Sequence, residues 1–73
     1  MDLTWNRSVF SSNVDMVGYD AETKTLVITW KRGGKKSAYA GVPEHVADEL
    51  SNAPSVGRML NSDIIPNYQH RYL

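Results

Sequence analysis

Four basic residues crowd into six consecutive positions of the chain: Lys31, Arg32, Lys35 and Lys36. We call this set the basic hairpin, because it surrounds a glycine pair between two predicted strands. Such a cluster can bind phosphate groups, and the nearby Tyr39 offers a ring on which a nucleobase can stack. The alternative is a solvated hairpin tip, since lysines near sheet edges also hinder edge-to-edge aggregation.

Two more residues extend the predicted binding surface. Trp30 offers a second aromatic ring, and Arg58 adds a cation if its helix faces the hairpin. The acidic residues cluster elsewhere in the chain, at Asp20, Glu22, Glu44, Asp48 and Glu49. A net charge of zero can therefore hide a polarised surface.

The histidines and serines form no catalytic or metal-binding pattern. The chain has only two histidines, His45 and His70, and no cysteine. A zinc site needs three or four ligands, and a nucleophilic serine needs a base held by a third group. The residue spacing indicates neither arrangement. We therefore predict that the protein is not an enzyme and that it binds no metal and no cofactor.

Composition limits the remaining classes. The neutral net charge and the sequence pI of about 6.7 remove the simplest argument for nucleic-acid binding, which is a strongly basic domain. No apolar run is long enough for a membrane span or a signal peptide, so we expect no membrane partner. The absence of cysteine favours a cytoplasmic location for so small a domain.

The first half of the chain predicts a three-stranded antiparallel β-meander over residues 13–41. Its strands cover residues 13–19, 25–31 and 35–40, with Val14 and Val17 on opposite faces of the first. Leu26, Ile28 and Trp30 share one face of the second strand, which has the strongest period-two pattern. The glycine pair then permits the positive φ angles that a tight turn needs.

Two short helices packed on one face of this sheet are predicted for residues 43–62, which gives an α+β class. Pro43 and Glu44 suit the start of the first helix, and Pro54 ends it. Ser55 is the expected N-cap of the second helix.

Residues 1–12 and 63–73 are read as an N-terminal arm and a C-terminal tail of one domain that spans 1–73. Trp5 and Phe10 either dock the arm onto the core or leave it exposed.

Several short motifs follow one another in a recognisable order along residues 11–70. They are Gly18-Tyr19-Asp20, Leu26–Trp30, Tyr39, Val42-Pro43, Ala53–Gly57, and Asn61 to Tyr68. This order resembles the KTSC domain family, which is named for the C-terminal end of some lysyl-tRNA synthetases and also occurs as stand-alone bacterial and phage proteins. The resemblance implies a small α+β module near RNA metabolism, without established catalytic residues. The chain departs from the family at Ile65, where members often carry a basic residue, and at Leu60, where an aromatic is common.

Two functional hypotheses are supported about equally by these observations. The first is a nucleic-acid accessory module, directed at RNA through the basic hairpin. The second is a protein-interaction module, such as a phage-encoded adaptor or inhibitor of a host protein, which fits the neutral charge and the aromatics Trp5, Phe10 and Tyr72. Self-association into a homo-oligomer that sequesters a small ligand is a third alternative.

Overall fold

An antiparallel sheet of five strands forms the centre of the computed structural model, which describes residues 2–73. The strands lie side by side in chain order: β1 Trp5–Ser8, β2 Val14–Asp20, β3 Thr25–Trp30, β4 Lys36–Tyr39 and β5 His70–Tyr72. Helix α1 covers Glu44–Ser51 and helix α2 covers Val56–Met59, and a wider helical turn continues from α2 over Leu60–Ile64. The predicted α+β class, with an antiparallel sheet and two helices, is confirmed.

The predicted count of three strands was wrong, because the arm and the tail each add an edge strand. In β1, Trp5 pairs with Tyr19 of β2. In β5, His70 pairs with Tyr39 of β4. These strands have only four and three residues, too few for a period-two pattern to stand out. Hydrogen bonding to a neighbouring strand, rather than a local sequence pattern, makes them part of the sheet.

One face of the sheet packs against the helices. Leu26 and Ile28 are fully buried on this face, as the period-two pattern of β3 predicts. The helical segments fill the other side of the same core with Ala47, Leu50, Val56, Leu60 and Ile64. We call the sheet side that carries this core the helix face.

A β-bulge in β2 moves one side chain to the helix face. The pairing register of β2 with β3 shifts between Val14 and Met16. Val14 and Val17 are therefore both buried in the core, although strict alternation predicted them on opposite faces.

Tyr19 joins three parts of the fold. Its hydroxyl donates a hydrogen bond to the carbonyl oxygen of Val42 at 2.5 Å, just before α1, and only 1% of the residue is exposed. Its ring stacks on Trp5, with ring centroids 5.7 Å apart. The indole N–H of Trp5 in turn donates to a carboxylate oxygen of Glu44 at 3.4 Å.

A second contact of β1 with α1 involves Arg7. Its guanidinium lies 4.0 Å from the centre of the Trp5 ring and donates to Asp48 at 2.6 Å and to Ser51 at 2.8 Å. The part of the arm that forms β1 is therefore docked onto the core. This answers for Trp5 the question that the sequence left open. The other large side chain of the arm, Phe10, is fully exposed in the turn between β1 and β2.

Alkaline pH is expected to destabilise the fold through Tyr19 and Tyr39. Burial raises the pKa of both hydroxyls, and the charges of Glu44 and Asp20 add to the rise at Tyr19. In the unfolded chain both groups ionise near pH 10, so above that pH the unfolded state binds fewer protons than the folded state. The contribution of these two groups to the free energy of unfolding should therefore be constant below about pH 9 and be lost as the pH rises above about 10. Urea unfolding at a series of pH values checks this.

The control for this pH dependence is Tyr19→Phe. The variant lacks one of the two raised groups, so its stability should fall less steeply with pH than that of the native protein. An equally steep fall in both proteins would contradict the assignment to Tyr19.

Candidate nucleic-acid interface

The basic hairpin lies at one end of the sheet, beside the β1–β2 turn. The peptide N–H of Lys31 donates to the carbonyl oxygen of Asn13 at 2.9 Å, which ties the two turns together. Across the hairpin itself, the N–H of Trp30 donates to the carbonyl oxygen of Lys35 at 2.8 Å. The backbone at the end of β3 is therefore hydrogen-bonded to the β1–β2 turn on one side and to the residue before β4 on the other.

The connection between β3 and β4 is longer than a two-residue turn. It contains one 3₁₀ turn over Arg32–Gly34 and returns to extended backbone at Lys35. Gly33 and Gly34 have φ angles of 74° and 64°, so the predicted need for glycine is confirmed at both positions. Lys31, Arg32 and Lys35 of this connection line one opening at the end of the sheet.

A concave site with a volume of about 810 Å³ opens at this end of the sheet, and we call it the hairpin groove. Its lining combines two aromatic rings, three basic side chains and small polar residues: Trp30, Tyr72, Lys31, Arg32, Lys35, Ser12, Asn13 and Gly33. Lys36, the remaining member of the basic hairpin, lines an adjoining cavity with Lys35, Tyr72 and Leu73.

The two rings of the groove are held in different ways. Trp30 is half-buried, and its indole N–H donates to the hydroxyl of the buried Ser37 at 2.8 Å. This bond fixes the indole while part of the ring stays at the surface. Tyr72 is 73% exposed, and its ring meets the edge of His70 with centroids 4.5 Å apart.

Tyr39 does not belong to this surface, so the prediction that it stacks on a base was wrong. It pairs with Leu26 at the end of β4 that lies away from the basic hairpin, and only 3% of it is exposed. His70 covers its ring, with centroids 5.1 Å apart. The groove contains Tyr72 in addition to Trp30, and sequence reasoning placed Tyr72 in a tail with no defined neighbours. Only the pairing of β5 with β4 brings it to the basic hairpin.

Arg58 is exposed on α2 and is not among the residues that line the hairpin groove. Its peptide N–H donates to the hydroxyl of Ser55 at 3.3 Å, which confirms Ser55 as the predicted N-cap. Its neighbour Gly57 does line a second cavity that reaches Lys31. The structure therefore brings α2 towards the basic hairpin without placing Arg58 in the groove.

The basic hairpin borders a groove without acidic side chains. No carboxylate side chain lines the hairpin groove. Asp20 and Glu22 flank the β2–β3 turn, at the opposite end of the strands. Within residues 2–73 the only ion pair joins Arg7 to Asp48, so the basic hairpin has no carboxylate partner there. Its cations are free to contact an anion from outside.

Known proteins share both the sequence pattern and the fold. A family model of the KTSC domain matches residues 10–68. The chain belongs to the KTSC domain family. The crystal structure of a KTSC domain protein from Yersinia pestis has a TM-score of 0.85 and 29% sequence identity, and the match covers 94% of this chain and 96% of that one. A protein from Tsukamurella paurometabola is 34% identical over 61 residues, which are 84% of this chain and 90% of that protein.

The motifs of the resemblance have structural roles in this KTSC domain. Beyond the contacts of Tyr19, the carboxylate of Asp20 accepts hydrogen bonds from the N–H of Glu22 and the hydroxyl of Thr23, both at 3.0 Å. Gly18 leaves room for Leu3 and Asn6, since a Cβ there would lie 2.7 and 2.8 Å from their side chains.

The groove lies partly outside these motifs. Tyr72 falls beyond the residues that the family model matches. Ile65, at one of the two departures from the family pattern, is 46% exposed and does not line the groove.

Residues 2–73 contain no group of three or more histidine and acidic side chains placed to hold a metal ion. None of the helices in the same range combines the length and the apolar character that a membrane crossing needs.

Proposed function

We propose that this KTSC domain is a non-catalytic module that binds single-stranded nucleic acid, in the first place RNA, in the hairpin groove. The observation that carries the proposal is the lining of one concave site by two aromatic rings and three cations. Proteins that bind single strands without strong sequence preference combine a positively charged groove with rings on which bases stack.

The residues divide into two roles. Lys31, Arg32 and Lys35 contact phosphate oxygens, while Trp30 and Tyr72 stack on bases. Because the Trp30 indole is already fixed by Ser37, little conformational freedom of this ring is lost on binding. The stacking surface accepts any base, so we expect weak sequence preference.

The same geometry favours single strands over duplexes. In a duplex the flat faces of the bases are already stacked on one another and cannot reach Trp30 or Tyr72. Only phosphate contacts with the basic hairpin remain. Duplex RNA should therefore bind more weakly than an unpaired strand of the same length.

Fluorescence anisotropy with a labelled, unstructured oligouridylate tests the proposal. Three or four phosphate contacts predict that log K falls against log salt with a slope of about −2 to −3, at about −0.7 for each contact with a single strand. A duplex of equal length is the control. Absence of binding at low salt, or an affinity that does not change with salt, would contradict the proposal.

Protein interaction is the second candidate, and it is supported by the apolar groups at the same end of the sheet. Phe10 is fully exposed, and Tyr72 and Leu73 are largely exposed. Aromatic anchors of this kind are common in protein interfaces. A pull-down from lysate separates the two candidates. Recovery of one protein that survives nuclease treatment would support the second, whereas recovery of RNA alone would support the first.

A further inference from the structure

A second cavity, with a volume of about 430 Å³, lies next to the hairpin groove. We call it the Phe10 cavity. The β1–β2 turn forms one side of it and the start of α2 forms the other, through Phe10, Ser11, Ser12, Lys31, Pro54, Ser55, Val56 and Gly57. Ser12 and Lys31 line both concavities, so the two adjoin each other.

The turn that carries Phe10 is held in place. The hydroxyl of Ser11 accepts hydrogen bonds from the N–H groups of Asn13 and Val14, at 3.3 and 3.2 Å. Asn13 in turn accepts the N–H of Lys31. Phe10 is therefore presented on a short, hydrogen-bonded turn next to Lys31.

The position of Phe10 distinguishes it from an isolated exposed apolar residue. A single exposed apolar residue is ordinary on a protein surface. Phe10, however, borders a cavity that adjoins a groove with two other aromatic rings, those of Trp30 and Tyr72. The basic side chain of Lys31 is shared between the two concavities. Rings separated by a cation match the alternation of bases and phosphates along a single strand.

We propose that the Phe10 cavity binds the continuation of the same single strand, with Phe10 stacking on a base and Lys31 contacting the phosphate between the two concavities. This inference rests on the proposed function. From β2 to β5 the site crosses three strand spacings, or about 14 Å. The ligand is therefore a run of several unpaired nucleotides, and a dinucleotide fills only the hairpin groove.

Anisotropy titrations with oligouridylates of two lengths test the inference in the full chain. Phe10→Ala should leave the affinity for a dinucleotide unchanged and weaken the affinity for an octanucleotide about tenfold, because one stacking contact is lost. Phe10→Trp should retain the affinity of the native protein for both. The side chain is fully exposed, so thermal melting should be the same for all three proteins.

Ile65→Ala is the matched control, because it removes an exposed apolar side chain outside both concavities. It should change neither affinity. If native protein binds both lengths and Phe10→Ala binds them equally well, the Phe10 cavity is not part of the site, while the proposed function stands. If native protein binds neither length but binds a protein partner, both proposals fail.

Discussion

The double charge reversal Lys35→Glu, Lys36→Glu should weaken binding of single-stranded RNA by about thirtyfold at moderate salt. Each change replaces an attraction to phosphate by a repulsion, worth about 2 kcal/mol at contact in water and roughly half of that after screening. Lys35 lines the hairpin groove, and both lysines line the adjoining cavity with Tyr72. The slope of log K against log salt should also become less steep by about 1 to 1.5. Anisotropy over a salt series measures both effects.

The control must separate a local effect from a change of total charge. Lys24→Glu reverses one charge at the opposite end of the sheet and is matched to the single variant Lys35→Glu. Only the Lys35 variant should lose affinity. All four positions in the basic hairpin are exposed, so urea unfolding should give nearly the native stability for the double variant. Native affinity in a folded double variant would exclude the basic hairpin as the binding site.

Tyr19→Ala should lower the free energy of unfolding by about 3–5 kcal/mol, the usual loss for a large aromatic side chain in a core. A domain has only about 5–15 kcal/mol in total, so much of the protein would be unfolded at moderate urea concentrations. The loss combines a cavity in the core with removal of the bonds to Val42 and the stacking on Trp5. Tyr19→Phe, which keeps the ring, should lose about 1–3 kcal/mol because the carbonyl of Val42 is left without its partner.

The same substitution at Tyr72 provides the comparison. Tyr72→Ala should change stability by no more than about 0.5 kcal/mol, because the side chain is 73% exposed. Its affinity for single-stranded RNA should fall about tenfold, since one stacking surface is lost. Tyr19→Phe should show the reverse, with reduced stability and unchanged affinity. If Tyr72→Ala bound RNA like the native protein, Tyr72 would have no part in the site.

This contrast between two tyrosines reflects a division in the molecule. The family motifs hold the fold together: Gly18 gives room to β1, Asp20 builds a turn, and Ser55 caps α2. The proposed ligand contacts lie on turns and on an edge strand. A scaffold of this kind can carry different surfaces, so membership of the family identifies the fold more strongly than the ligand.

Elements with a local sequence pattern could be predicted before the structure was known. Period-two alternation identified β3, and the glycine pair identified the turn after it, because φ angles of 74° and 64° suit residues without a Cβ. Helical spacing and the cap at Ser55 identified α1 and α2 within a few residues. The position of the basic hairpin was also visible, since its four cations are neighbours in the chain.

Which residues share the site depends on how distant parts of the chain pair and pack. β1 and β5 are strands because β2 and β4 offer them unpaired backbone groups. Neither β1 nor β5 has enough residues for its sequence pattern alone to predict a strand. The pairing of β5 with β4 brings Tyr72 to the groove that Trp30 also lines, while Tyr39 lies at the other end of β4 and is covered by His70. Contacts over such sequence distances depend on the register of the whole sheet, which the local pattern around any one residue does not contain.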